Sequence, residues 1–190
     1  MPKRNLCLIP IAAATLLTAS CSSPVGLSST SGAASSLSAV DRAFVAQAAY
    51  GSLAEAALGR LAATQAGSDS VREFGRMMVE THGRINEELV AVASKKGVAP
   101  PTAPDPGRQA VSAMLAQLSG PAFDRQYVPQ QLADHEAELA VLQGQMKYGQ
   151  DADLRAFAQR TAPEVERHIA MLRRLNSSQT ASASASAHAH

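Results

Sequence analysis

Between residues 128 and 146 the apolar side chains Val128, Leu132, Leu139, Leu142 and Met146 fall at alternating four- and three-residue steps, and His135 fills the step missing from the series. Such steps put side chains on one stripe of an α-helix. The stripe commits this segment to a helix packed among other helices, with an ionisable ring on its apolar face. Three further segments repeat the pattern, each with one polar residue in the seam. Over 39–65 the seam reads Val40, Phe44, Ala48, Gly51, Glu55, Leu58, Ala62. Over 70–96 it reads Val71, Phe74, Met78, His82, Ile85, Leu89, Val92. Over 151–175 it reads Leu154, Ala158, Thr161, Val165, His168, Leu172, Leu175.

The boundaries of these segments carry helix signals. Ser38 caps the first helix, with Asp41 in its first turn, and Gly67-Ser68 makes the following turn. Ser70 and Glu73 have the spacing of a capping box, and Gly97 ends the second helix. Pro100, Pro101, Pro104 and Pro106 make 98–107 an extended linker. Residues 108–118 read as a short helix, closed by Ser119-Gly120. A long helix then starts at Pro121, where the missing donor costs nothing, and runs to Tyr148. Pro129 predicts a kink within it. Asp151 caps the last helix, which Pro163 either kinks or divides. Aromatics are only 4% of the chain and Trp is absent, while helix formers dominate its middle. The fold class is all-α: an antiparallel four-helix bundle over 39–176, with a short additional helix between the second and third long helices. Val71-Arg72-Glu73-Phe74-Gly75 resembles Leu154-Arg155-Ala156-Phe157-Ala158, and Phe44 and Phe123 lie comparably near two helix starts, a faint internal repeat of a helical hairpin.

The N-terminus has a separate role. Lys3 and Arg4 precede an apolar run from Leu6 to Leu17, and small residues follow, the layout of a secretory signal over 1–20. At about 12 residues the run is too short for a bilayer core that needs about 20. Cys21, directly after three small residues, resembles the acylated cysteine of the bacterial lipobox, although Thr18 stands where that box usually has Leu. An ordinary signal peptide with an incidental Cys21 is the alternative. The resemblance implies a lipoprotein carrying fatty acyl chains such as palmitate on Cys21, its partner being the membrane; Ser22, rather than Asp, favours the outer membrane facing the periplasm. Cys7, the other cysteine, falls in the removed segment, so no intrachain disulfide is expected. Residues 21–38, rich in Ser, Gly and Ala, form a flexible tether, and 177–190 read as a disordered tail ending in His188 and His190.

The chain carries a net charge of +1; without Lys3 and Arg4, 15 basic residues face 16 acidic ones, or −1. No basic stripe with interleaved aromatics is present, so nucleic acid is not an expected partner. Hydrolytic chemistry has no support either, because no Ser or Cys has a base placed beside it.

The four seam residues are the candidate site. At about 1.5 Å of rise per residue, Glu55 lies about 18 Å from its hairpin turn, His82 and His135 about 22 Å and His168 about 28 Å. They form one layer if both turns share an end, and stay near mid-bundle if the linker crosses the bundle. Three imidazoles and a carboxylate suit one Zn, Cu, Ni or Fe ion, held for storage, sequestration or redox work. A paired-iron site does not fit. It needs Glu three residues before His, and Val79, Leu132 and Val165 hold those places. A metal-free hydrogen-bonded network in a non-enzymatic binding or structural module is the preferred reading of these buried polar residues, and the metal site is its alternative.

The pattern Asp41-x-x-Phe44-Val45 with Ala48-Ala49, Glu55-x-x-Leu58-Gly59, Phe74-Gly75-x-Met77-Met78-Val79 with His82 and Asn86, and Phe123-Asp124-x-x-Tyr127 before His135 and His168 is similar to one bacterial family. This is the ferritin-like envelope family catalogued as domain of unknown function number forty-one forty-two. The likeness spans roughly 40–175. It implies a ferritin-like bundle that is secreted, periplasmic or lipid-anchored, and it brings no established activity.

Overall fold

The computed structural model of the protein describes residues 37–187. The signal segment 1–20, Cys21, nearly all of the tether and the terminal residues 188–190 lie outside the described residues. Five helices follow in order: α1 (Ala39–Gln65), α2 (Asp69–Ser94), α3 (Pro106–Leu115), α4 (Gly120–Tyr148) and α5 (Ala152–Ala187). Among the described residues there is no strand, only an isolated bridge between Ala66 and Gly120. No described helix is long and apolar enough to cross a membrane.

α1 packs against α2 and α4, and α5 packs against α4 and α2, so the four long helices form a ring of neighbours. The direction of each pair follows from its end contacts. Asp41 at the start of α1 accepts hydrogen bonds from the Gln145 side chain at the end of α4 (2.7 Å) and from the backbone N–H groups of Gln150 (3.0 Å) and Asp151 (3.2 Å) in the α4–α5 turn. At the opposite end, Asp124 at the start of α4 accepts from the N–H groups of Gly67 (2.8 Å) and Ser68 (2.9 Å) in the α1–α2 turn. Adjacent helices are therefore antiparallel, and the two hairpin turns lie at opposite ends. The chain must cross the length of the bundle between α2 and α4, with α3 lying along α1 on the way.

The two aspartates stand 83 positions apart (124 − 41), and the same offset relates much of the two hairpins: Phe44 to Tyr127, Val45 to Val128, Glu55 to Glu138, Val71 to Leu154 and Phe74 to Phe157. It extends to the hydrogen bonds. Arg72 donates to the Ala66 carbonyl, and Arg155, 83 positions on, donates to the Gly149 carbonyl (2.9 Å). These contacts bear out the Val71–Gly75 and Leu154–Ala158 half of the faint sequence repeat, whereas Phe44 is matched by Tyr127 and not by Phe123. Burial alone would raise the Asp41 pKa, but hydrogen bonds from Ser38, Gln145 and the α4–α5 turn outweigh it and hold the carboxyl below its usual 3.8.

Several local expectations change. The Ser70–Glu73 capping box is not formed: α2 starts one residue earlier, at Asp69, because Asp124 already takes the N–H groups ahead of it. The short helix starts at Pro106 rather than 108, capped by the Asp105 carboxylate, which accepts from Gly107 and Arg108. α4 and α5 continue through Pro129 and Pro163, so α5 is not divided. Val40, placed in the first seam, is 45% exposed, and Val45, Ala49 and Ala56 widen the buried face instead. Helix α5 also extends through Ala187, into the segment read as a disordered tail. Alanines there favour helix, and the hydroxyls of Ser177 (2.9 Å) and Ser178 (3.0 Å) bond back to the carbonyls of Arg173 and Arg174.

Two apolar clusters fill the bundle. One gathers Phe44, Val45, Ile85, Leu89, Leu142 and Phe157; the other gathers Leu58, Phe74, Met78, Phe123, Tyr127 and Leu172. On α1 the boundary between them falls between Ala49 and Leu58, on α2 between Met78 and Ile85, on α4 between Val128 and Leu142 and on α5 between Ile169 and Leu172. Glu55, His82 and His135 fall inside those intervals, and His168 falls one residue short of the last. A polar layer thus divides the core at mid-height.

Candidate metal centre

His82 of α2, His135 of α4 and His168 of α5 meet in that layer, with exposures of 0%, 0% and 3%. Ring centroids are 5.4 Å apart for His82–His135, 5.6 Å for His82–His168 and 5.3 Å for His135–His168. One nitrogen from each ring can be chosen so that all three lie within 4.8 Å of one another. The turns are at opposite ends, yet the rings converge: over a bundle about 42 Å long, His82 and His135, each about 22 Å from its own turn, meet near the middle, and His168 lies only about 6 Å further along α5.

The nitrogens lack protein partners. Nδ1 and Nε2 of His82, Nε2 of His135 and Nδ1 of His168 are buried without a hydrogen bond, a state that costs free energy at each atom. His135 Nδ1 lies 2.9 Å from the Gln131 carbonyl oxygen. A carbonyl only accepts, so Nδ1 carries the proton and Nε2 has its lone pair free. Metal-binding imidazoles are commonly oriented in this way. The Phe74 ring lies 6.2 Å from both the His135 and His168 rings, supplying an apolar floor. Burial drives the His82 pKa well below 6.5, reinforced by the other two imidazoles; it lowers His135, and it takes His168 down to about 3. All three rings are neutral at pH 7, the form in which an imidazole can bind a metal.

Glu55, the fourth sequence candidate, borders this trio without joining its close set. Its Oε2 is 4.0 Å from His135 Nδ1, the residue is 3% exposed, and that oxygen has no hydrogen-bond partner. Burial, with repulsion from Asp134, pushes its carboxyl up to about 8. Glu138, flanking the seam on α4, is pushed up to about 7, again chiefly by burial. The sequence reading overlooked two neighbours. The Tyr127 hydroxyl and both amide atoms of Gln131 are buried and unpartnered. Gln131 lies four residues before His135, a helical step that could have flagged it; Tyr127 reads as an ordinary aromatic core residue.

The donor set fits a transition ion. Tetrahedral zinc with metal–nitrogen distances of about 2.0–2.1 Å separates its ligands by about 3.4 Å, so the imidazoles need only draw together slightly. Three nitrogens leave one position open. Imidazole selects Zn, Cu, Ni or Fe over the oxygen-seeking Mg and Ca.

No curated protein and no solved structure matches the chain. The family described as Domain of unknown function (DUF4142) matches residues 26–175, most of the molecule, and the chain belongs to that family.

Proposed function

We propose that this protein is a metal-binding helical bundle of the bacterial envelope, in which His82, His135 and His168 hold one Zn, Cu, Ni or Fe ion. The observation that carries this reading is the convergence of three buried imidazoles, each offering a ring nitrogen within 4.8 Å of the other two, on rings that each carry at least one nitrogen without a hydrogen-bond partner. A metal-free network would have to pair these atoms among themselves, and they are not paired. Glu55, beside His135, supplies a carboxylate whose ionisation a bound cation would favour. When bound, the ion adds Lewis acidity or a redox couple; the protein's own residues bury it and orient its ligands. The crossover between hairpins supports a ferritin-like arrangement, since one long connection characterises those bundles, but the ligand set suits one ion rather than a pair.

The location rests on sequence. Cys21 after three small residues supports an acylated N-terminus at the outer membrane, and 22–38 is long enough to let the bundle stand off the lipid. The Cys21→Ala variant should leave the membrane fraction for the soluble periplasm; continued membrane association would exclude the anchor. For the metal, protein lacking an affinity tag and the terminal histidines should retain one equivalent of transition metal on elemental analysis. A value below about a tenth of an equivalent, with no thermal shift on adding Zn, Cu or Fe, would remove the reading, since a ligand that binds the folded state must stabilise it.

A further inference from the structure

Beside the histidine layer lies a cavity of about 90 Å³ between α1 and α4, with Gly51, Glu55, Asp134 and Glu138 in its walls and Arg108 of α3 among its lining. Glu55 and Glu138 are the pair related by the 83-residue repeat (138 − 55) and stand on facing helices. Each presents a buried Oε2 without a hydrogen-bond partner, and Glu55 is 3% exposed. Asp134 lies one helical turn before Glu138, held by the Gln130 side chain (3.0 Å). Arg108 does not quench this set through a salt bridge, since its guanidinium is engaged with Asp105 (2.5 Å) at the start of α3. The three carboxyl groups therefore line a chamber with room for a partly hydrated ion, and Glu55 reaches to 4.0 Å from His135 Nδ1.

We infer that the Glu55–Asp134–Glu138 cavity is a second, oxygen-donor cation site that receives a divalent metal ion and passes it to the three imidazoles. This rests on the metal reading above and adds a route to it. Carboxylates accept a hydrated ion readily, whereas a dry imidazole cluster requires it to shed water. A cation in the cavity would partner the two orphaned Oε2 atoms, and Glu55, 4.0 Å from the Nδ1 edge of the His135 ring, stands between the cavity and the imidazole layer. Gly51 keeps the α1 wall low: a Cβ there would meet nothing within 4 Å.

The test is the rate of zinc uptake by the full chain, followed by stopped-flow against a chromogenic zinc chelator, with final occupancy measured separately. Asp134→Asn and Glu138→Gln keep side-chain size and remove charge. Each should slow loading about tenfold or more, as loss of a focused acidic path does, while final occupancy stays at one equivalent. Glu136→Gln, on the same helix but paired with Arg173 at 2.9 Å and outside the cavity, should load at the parent rate. Parent-like loading by both cavity variants overturns the inference and leaves the three-imidazole site standing. Equal slowing by Glu136→Gln also overturns it, because net charge would then explain the effect. A parent protein that takes up no zinc overturns both readings together.

Discussion

The hairpin α1–α2 and the hairpin α4–α5 are two versions of one unit, and they agree in frame while differing in chemistry. Asp41 and Asp124 each fasten the opposite hairpin's turn, Arg72 and Arg155 each close their own, and Phe74 and Phe157 occupy matching core positions. The glutamates also match, Glu55 with Glu138. The histidines do not. Position for position, His82 matches Val165, His135 matches Ser52 and His168 matches Ile85. Residues that hold the bundle together follow the repeat, whereas those that build the three-nitrogen cluster break it. Packing alone would be satisfied by the apolar partners at two of these positions, so the imidazoles answer to something other than packing.

The largest effect should come from the matched phenylalanines. Phe74→Ala and Phe157→Ala should each cost about 3–5 kcal/mol in denaturant unfolding, but only Phe74→Ala should also weaken zinc binding, because Phe74 packs on His135 and His168 while Phe157 packs on Phe44 at 6.1 Å. Equal loss of zinc affinity in both would erase the distinction between frame and site. Next come the clamps. Asp41→Ala and Asp124→Ala should each cost about 2–3 kcal/mol through the backbone donors they strand. At opposite ends of the bundle, the two should add within about 0.5 kcal/mol; strong coupling would contradict independent clamps.

A smaller effect distinguishes the hairpin seams. A Cβ at Gly75 would stand 2.6 Å from the Ala62 Cβ and 2.7 Å from the Gly59 carbonyl oxygen, so Gly75→Ala should cost about 1–3 kcal/mol by forcing α1 and α2 apart. Its counterpart in the second hairpin is already Ala158, and Ala158→Gly should cost about 1–2 kcal/mol, from helix propensity together with the lost burial of its core methyl.

The gentlest probe is pH. The buried imidazoles resist protonation, whereas in the unfolded chain they take up protons below about 6.5, so stability falls as pH drops from 6.5 toward the His168 value of about 3. Glu55 and Glu138 hold their protons to about 8 and 7 but ionise above 4.5 when unfolded, so they subtract stability as pH rises from 4.5. Just below 6.5 the three imidazoles outweigh the two carboxyls. For metal-free protein this layer therefore sets a stability maximum near pH 6.5, seen in denaturant midpoints across pH. Saturating zinc should shift the maximum upward, because metal binding releases protons; an unmoved maximum would mean that the layer does not hold the ion.

Much of this architecture could be read from the residues. α1 begins and ends where Ser38 and Gly67-Ser68 predict, since those signals are local, and the four seam interruptions identify the layer because helical periodicity maps directly onto depth. What escaped was non-local. The start of α2 depends on Asp124, 54 residues beyond Ser70 (124 − 70), and no local pattern announces that acceptor. The crossing of the linker is a matter of which ends meet, which periodicity does not encode. Gln131 stands one helical step before His135, but a neutral amide carries no chemical flag by residue type. Glu55 had the right depth but not the right reach, because its side-chain direction on α1 places it against His135 and the α1–α4 cavity.

The central claim is that three imidazoles from three helices bind one ion. X-ray absorption at the zinc edge, on protein without a tag or terminal histidines and loaded to one equivalent, tests it most directly. The structure predicts imidazole scattering from three nitrogens at about 2.0–2.1 Å, reduced to two or lost in His82→Ala. Zinc surrounded by oxygen alone, or a spectrum unchanged in His82→Ala, would contradict it.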